Sequence, residues 1–379
     1  MFSFYFLCLL FVQITLGIEL EEKIHKDERF KRAILNKDLL PFDSHISYYI
    51  AYKKHSQKVI SALNDLSNQT CFDFVKLKNE FKHKGMIFKT SDCNLIASAN
   101  GTDAPTVIYL ETTCSSKIGC IKHHIGLALG LIPHQNRWDR NSYVNILYDN
   151  IEKANVNEYK KVKGYSVKIL NTPFDFGSIM NFERTYFSAN GKPTYSSKLN
   201  PVYDKMLGQR NDFSFNDIKL LNDMYCGKRC PKKIKGCING GYPDPKNCDS
   251  CKCPPGYRTK LCGIPEDSTG ECGAKKLTAK KEYQTLYIKT DKICNHLIVS
   301  KPGRKVEVVV VKANILKRKI CSHGKGLEIK HRHNKGAVGL SFCGSYKNVS
   351  VEPISSQVLV RYYGTDDSNH FAEIKYREV

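Results

Sequence analysis

Apolar and polar residues alternate with two different periods along the chain. Residues 59–66, VISALNDL, and residues 217–225 carry apolar side chains at helical spacing, which predicts two amphipathic helices. Residues 107–110, VIYL, form a short apolar run typical of a buried strand. Helices and strands are therefore expected together in residues 33–226.

The second period belongs to the C-terminal part of the chain. Residues 272–379 contain strand-like segments at 306–311, 327–331 and 358–363, which predict an all-β domain. Between the two regions, six cysteines crowd into residues 230–262, where apolar residues are scarce. Such a segment cannot bury a core of its own, so we expect disulfides to hold it.

The N-terminus predicts export. Residues 1–17 form an apolar run closed by small residues, as in a signal peptide, and no later stretch approaches the ~20 apolar residues of a membrane span. Residues 18–32 end in RFKR and predict a short propeptide with a mature start at Ala33; an uncleaved charged segment is the equal alternative. The predicted location is secreted and extracellular. Three sequons predict glycosylation: Asn68, Asn100 and Asn348.

Composition adds two constraints. The chain has 379 residues, a net charge of +22 and 16 cysteines, and its length allows two or three domains of roughly 100–200 residues. In an oxidising compartment cysteines pair, but loss of Cys8 with the signal peptide leaves an odd number. Nucleic acid is not an expected partner, because the chain is exported and carries no nucleic-acid fold motif.

Cysteine spacing resembles two extracellular modules. Residues 227–263 resemble an EGF-like module with an open pairing among six cysteines: Cys230, Cys237, Cys248, Cys251, Cys253 and Cys262. Residues 272–379 resemble a CUB domain, a β-sandwich, with cysteines spaced as two local bridges, Cys272–Cys294 and Cys321–Cys343. CUB domains often bind calcium near the third cysteine. Glu328 is the only carboxylate in that neighbourhood, so calcium binding is not expected.

Residues 119–150 carry the most informative motif. They read GCIKHHIGLALGLIPHQNRWDRNSYVNILYDN and resemble the astacin signature H-E-x-x-H-x-x-G-x-x-H with its Arg- and Asp-containing tail. Residues 172–180, TPFDFGSIM, resemble the approach to the Met-turn of the same family. The resemblance covers nearly all of residues 33–226 and, with the two modules, is to the nematode type. It implies an α+β metzincin-like protease domain and zinc-dependent endopeptidase activity.

The signature assigns a role to each position. Two histidines four apart on a helix and a third beyond a glycine turn hold zinc, and a glutamate carries the proton of the zinc-bound water. This chain keeps the first histidine as His123 and the glycine as Gly130. The other positions differ: His124 for the glutamate, Leu127 and Pro133 for the second and third histidines, His134 for the glutamate that follows, Asn181 for the histidine after the Met-turn, and Phe182 for the zinc-proximal tyrosine.

These replacements predict a pseudoprotease. One imidazole cannot hold zinc in a site shaped for three ligands, and loss of the proton carrier costs about 10²–10⁴-fold in rate. We therefore expect no cofactor, and a binding role toward a peptide or protein ligand. One alternative is an active zinc metalloendopeptidase with an altered ligand set: Cys120, His123, His124 and His134. Another is an expanded-family copy that folds without a selected role.

The family resemblance also implies a disulfide pattern. It pairs Cys71 with Cys226 and Cys93 with Cys114, which leaves Cys120 unpaired. Three interpretations of Cys120 follow: a buried free thiol, an intermolecular disulfide that makes a dimer, or a ligand of the altered metal site.

Two charged segments have structural and functional interpretations. Arg137, Asp139 and Arg140 are predicted to form a structural ion-pair cluster around the turn. The basic run 312–335 is either a solvated lysine-rich surface or a patch that attracts acidic polysaccharide or an anionic cell surface.

Overall fold

The computed structural model describes residues 41–97, 103–162, 170 and 172–379. The predicted signal peptide and propeptide and the sequon at Asn100 lie outside these residues. Among the helices that it describes, none is long and apolar enough to cross a membrane.

A five-stranded mixed sheet with helices packed on it forms the N-terminal lobe. Its strands are β1 (His45–Ile50), β2 (Asp73–Lys76), β3 (Met86–Thr90), β4 (Leu95–Ala97) and β5 (Thr106–Leu110), in the order β2-β1-β3-β5-β4. All neighbours are parallel except the edge pair β4–β5. Helix α1 (Ser56–Gln69) buries Val59, Ala62, Leu63 and Leu66, as its apolar periodicity predicts.

The helix that carries the motif lies in the same lobe. A short helix α2 (Thr112–Ser115) leads into α3 (Ile118–Ala128), which is buried along most of its length. At Gly126 a Cβ would lie only 2.9 Å from the Met180 sulfur, so a side chain here would push α3 away from the Met-turn. Beyond the helix, Gly130 has a φ of 87°, a left-handed conformation that favours glycine.

The second lobe contains little regular structure. Its strands β6 (Val144–Ile146) and β7 (Tyr195–Ser197) form a two-stranded antiparallel ladder, and its main helix is α4 (Phe215–Tyr225). Ser214 and Asp217 form a reciprocal capping box at the start of α4. The Cys71–Cys226 disulfide then ties the end of α4 to the first lobe, in the predicted pairing.

Residues 230–265 form a small disulfide-rich module. Its strands are β8 (Tyr242–Asp244), β9 (Asn247–Lys252), β10 (Tyr257–Arg258) and β11 (Ile264–Pro265), paired as two short hairpin ladders. The structure fixes the connectivity that spacing left open: Cys230–Cys248, Cys237–Cys251 and Cys253–Cys262.

The C-terminal domain is an all-β sandwich, as predicted. Its strands are β12 (Lys276–Thr278), β13 (Gln284–Ile288), β14 (Ile293–Val299), β15 (Val306–Ile315), β16 (Gly326–Lys330), β17 (Leu340–Phe342), β18 (Gly344–Val351), β19 (Gln357–Tyr363) and β20 (Phe371–Glu378). They form a sheet of order β12-β14-β19-β16-β17 and a second of order β13-β20-β15-β18. The two predicted local bridges, Cys272–Cys294 and Cys321–Cys343, are present.

The sandwich and the second lobe share one hydrophobic core. Phe174, Phe176 and Tyr203 of the lobe lie in the same buried cluster as Val338 and Leu340 of the sandwich. Polar contacts cross the same boundary: the Arg332 guanidinium donates to the Phe174 carbonyl at 2.7 Å, and the Val338 N–H donates to an Asp175 carboxylate oxygen at 3.2 Å. The domains are therefore packed together rather than tethered loosely.

The structure corrects the interpretation of the whole basic run 312–335 as a surface. Lys330 and Lys335 are buried, with 3% and 2% of their surface exposed, and their ammonium groups donate to carbonyls of the sandwich itself. Lys330 pairs with Glu328 at 3.3 Å. Glu328 is the carboxylate nearest the third cysteine of the sandwich, and it is therefore held in an ion pair inside the domain. The outward charge of the run comes from exposed residues such as Lys317, Lys319 and Lys325.

Two predictions about Cys120 were wrong. The structure pairs Cys114 with Cys120, not with Cys93, and Cys120 is therefore neither unpaired nor placed to link two chains. The turn between α2 and α3 brings the two Cα atoms to 5.3 Å, within the usual span of a disulfide. Cys93 is disulfide-bonded as well.

Candidate functional site

His123 is oriented as a zinc-binding histidine would be, but the other two ligand histidines of the signature are absent. Its ring is buried on α3, and Nδ1 lies 2.9 Å from the Ile179 carbonyl just before Met180. This contact requires the Nδ1–H tautomer and leaves Nε2 as an acceptor, the arrangement that orients metal-binding histidines. Burial lowers its pKa well below the usual value, so the ring is neutral.

His124, at the position of the catalytic glutamate, cannot replace that residue. Its Nδ1 lies 2.9 Å from the Cys120 carbonyl, one helical turn back, so this nitrogen is used within α3. Burial lowers its pKa to about 4. The ring is therefore neutral near neutral pH and lacks the negative charge with which a glutamate at this position would polarise a metal-bound water.

His134 faces a buried carboxylate network. Its Nδ1 accepts the Asp175 N–H at 3.2 Å, and its Nε2 lies 3.8 Å from Asp217. Asp217 in turn accepts the Ser178 hydroxyl at 2.6 Å and the Ile179 N–H at 3.2 Å. Burial raises the pKa of Asp217 to about 7. His134 therefore supports the Met-turn and the start of α4.

Asn181 donates its amide to the Asp175 and Phe176 carbonyls, and the other three signature positions are apolar. Leu127 packs partly buried against the core of the first lobe. Phe182, 9% exposed, lies in an aromatic cluster, with ring centroids 5.8 Å from Tyr159 and 4.8 Å from Tyr186. The Tyr195 hydroxyl donates to the Phe182 carbonyl and fixes its backbone. Pro133 only precedes a short 3₁₀ turn over His134–Asn136. Leu127, Pro133 and Phe182, with His123 and His124, define what we call the remnant cleft.

The donor set does not fit a family-type zinc site. Within the described residues, the one group of three or more metal-binding side chains is Cys114, Cys120 and His124, whose ligand atoms lie within 4.8 Å of one another. Its two sulfurs are joined in a disulfide and are not thiolates. His123 and His134 are not part of this group, so the structure does not assemble the altered ligand set suggested by the sequence.

The arginine cluster after the turn is structural, as predicted. Arg137 is fully buried, pairs with Asp139 at 2.7 Å, and donates to the Thr172 carbonyl at 2.9 Å. Arg140 instead donates to the Gln135 and Tyr159 carbonyls. Both guanidinium groups therefore donate to backbone carbonyls in the interior of the domain.

Comparison with known proteins agrees with this scaffold. The family model described as Astacin, a peptidase family, matches residues 38–226. Over these residues the chain belongs to the astacin family.

Several curated proteins similar to this astacin-family chain come from nematodes. "Zinc metalloproteinase nas-34" of Caenorhabditis elegans is 28% identical over 339 residues, which cover 88% of this chain and 55% of the relative. "Zinc metalloproteinase dpy-31" of Brugia malayi is 31% identical over 302 residues, 76% of this chain and 50% of the relative. The chain thus spans about half the length of these curated relatives. Among solved structures, the hatching enzyme High choriolytic enzyme 1 from Oryzias latipes aligns with a TM-score of 0.43 at 27% identity, over 54% of this chain and 98% of that one.

Sequence reasoning missed two features of the astacin scaffold here. The first is the Cys114–Cys120 bridge beside His124, with sulfur-to-Nδ1 distances of 3.7 and 4.0 Å. The i, i+4 spacing of Cys120 and His124 on a helix signalled their proximity, but not the bridge. The second is a cavity beyond Phe182 that Glu152, Glu183 and residues 185–188 line. Nothing in local spacing relates Glu152 to that turn.

Proposed function

We propose that this protein is a secreted, catalytically inactive astacin homologue that binds a peptide or protein ligand in its remnant cleft. Export is supported by the apolar N-terminus and by the disulfides of all three domains. The binding role is supported by retention of the astacin scaffold over residues 38–226 although the zinc-ligand positions have changed.

One observation carries the proposal: apolar side chains stand where zinc ligands and the proximal tyrosine belong. Leu127 and Phe182 pack against neighbouring apolar and aromatic groups, and Pro133 offers no ligand atom. Burying apolar groups around a metal position removes its ligands and also excludes the polar second shell that orients them. His123 alone leaves too few ligands for a catalytic zinc.

The test compares the native chain with a rebuilt variant. We expect the purified native protein to contain no stoichiometric zinc and to leave a denatured casein intact. The variant His124→Glu, Leu127→His, Pro133→His and Phe182→Tyr restores the ligand set and is expected to bind one zinc per chain. Chelator-sensitive cleavage by the native protein, or zinc bound at nanomolar affinity, would overturn the proposal. The second outcome is also the signature of the alternative enzyme with an altered ligand set.

A second partner is proposed for the C-terminal sandwich. Its exposed lysines, including Lys317, Lys319 and Lys325, add to a chain charge of +22 and favour an acidic polysaccharide or anionic cell surface. Retention on immobilised heparin, lost when these three lysines are changed to glutamine, tests the assignment. Retention equal to that of the native chain would contradict it.

A further inference from the structure

An acidic, aromatic cavity lies next to the remnant cleft. It has a volume of about 320 Å³ and is lined by Glu152, Glu183, Thr185, Tyr186, Phe187 and Ser188. We call it the carboxylate–aromatic pocket. Phe182, at the position of the zinc-proximal tyrosine, contacts the rings of its wall, with centroids 4.8 Å from Tyr186 and 6.3 Å from Phe187. The pocket therefore adjoins the residues of the proposed ligand cleft.

Backbone contacts hold the two walls together. The Tyr186 N–H donates to the Glu183 carbonyl at 2.9 Å and closes the turn. The Glu152 N–H donates to the Phe187 carbonyl at 2.9 Å, and Ile151 forms a β-bridge with Ser188. Because the walls are tied by main-chain bonds, the carboxylates and rings are presented on a preformed surface.

Tyr186 presents part of its ring at the surface of the pocket. Tyr186 and Phe187 lie with centroids 4.1 Å apart and tilted by 54°. Tyr186 is 40% exposed although it packs on Phe187 and Phe182. An exposed aromatic face beside carboxylates attracts a cation, because its quadrupole is negative over the ring.

The charge of the pocket is opposite to that of the protein. The chain carries +22, yet the cavity is lined by two glutamates and no lysine or arginine among the described residues. The two nearby arginines have other partners. Arg184 pairs with Asp204 at 3.1 Å. Arg210 donates to the Ile179 and Asn181 carbonyls and also lies within electrostatic range of Glu183. Glu152 accepts one bond from Asn155 at 2.6 Å.

We propose that the carboxylate–aromatic pocket binds an arginine side chain of the peptide held in the remnant cleft; this rests on the proposed peptide-binding function. A guanidinium group matches the pocket in two ways. Its planar face stacks on an aromatic ring, and its N–H edges donate to carboxylates in paired bonds. Neutral side chains of the same length satisfy neither interaction fully.

The test uses two synthetic peptides that differ in one side chain. Fluorescein-labelled Ala-Ala-Arg-Ala-Ala-Ala and its citrulline counterpart have nearly the same shape, but only the first carries the positive charge. We expect the arginine peptide to bind the native protein about tenfold more tightly, because charge-assisted bonds are roughly twice as strong as neutral ones. The preference should shrink with added salt, since the pocket is solvent-exposed.

Matched variants locate the effect. Glu152→Gln with Glu183→Gln is expected to abolish the arginine preference, and Tyr186→Leu to reduce it. Glu282→Gln, a charge-neutralising change at an exposed site in the sandwich, should leave it unchanged. Equal affinity for the two peptides, undetectable binding of both up to millimolar concentration, or a preference that survives the double variant would overturn the inference. Mass spectrometry of the same samples reports on the proposed function separately, because a cleaved peptide would refute inactivity whatever the preference.

Discussion

Gly177 is the position where the shared core is most sensitive to one added atom. A Cβ at Gly177 would lie 2.6 Å from the Val338 Cβ and 2.6 Å from its Cγ2, well inside van der Waals contact. Val338 is only 4% exposed and cannot move into solvent. Gly177→Ala is therefore expected to lower the free energy of unfolding by about 1–3 kcal/mol, the usual cost of overpacking a filled core.

A double-mutant cycle makes this expectation specific. Val338→Ala alone removes two methyl groups and should cost roughly 1.5–2 kcal/mol at about 0.8 kcal/mol per group. In the double variant the contacts with the two Cγ methyls are removed, but the 2.6 Å contact with the Cβ of residue 338 remains. The double variant should therefore cost less than the sum of the two single changes, with a coupling energy of about 0.5–1 kcal/mol.

Urea denaturation with the disulfides intact measures all four proteins. Gly263→Ala is the matched control, because its added Cβ meets the nearest side chain at an ordinary 3.6 Å. This control should change stability by less than about 0.5 kcal/mol. Additive costs for Gly177→Ala and Val338→Ala would refute the packing of the sandwich against the approach to the Met-turn.

Two further predictions concern buried groups near the cleft. Burial raises the pKa of Asp217 to about 7, above its unfolded value of 3.8, so its contribution is complete below pH 3.8 and is lost as pH rises through 7. Urea midpoints should therefore decline over this range, and Asp217→Asn should flatten the decline; an unchanged slope would contradict the assignment. Cys120→Ser opens a bridge of sequence separation 6 and should cost roughly 2 kcal/mol without changing the monomer band on a non-reducing gel. A dimer band in the native protein that disappears in this variant would instead restore the intermolecular bridge.

Much of the site could be predicted because its positions are close in sequence. His123, His124, Leu127 and Pro133 fall within one helix and the turn after it, so the missing ligands are apparent from spacing alone. The Cys71–Cys226 bridge followed from the family resemblance. The predicted pairing of Cys93 with Cys114 was wrong. The family pattern does not account for Cys120, which lies only six residues after Cys114 and pairs with it.

The sequence by itself determined the order of the domains, the amphipathic helix α1 and the loss of the family's zinc-ligand pattern, since each depends on periodicity or spacing over a few residues. The tertiary structure alone decided the Cys114–Cys120 bridge, the burial of Lys330 and Lys335, and the meeting of Glu152 with Glu183 and residues 185–188. The bridge needs the turn between α2 and α3, and the other two features bring together residues that are separated along the chain. Their geometry depends on how whole elements pack, and no local pattern of residues encodes it.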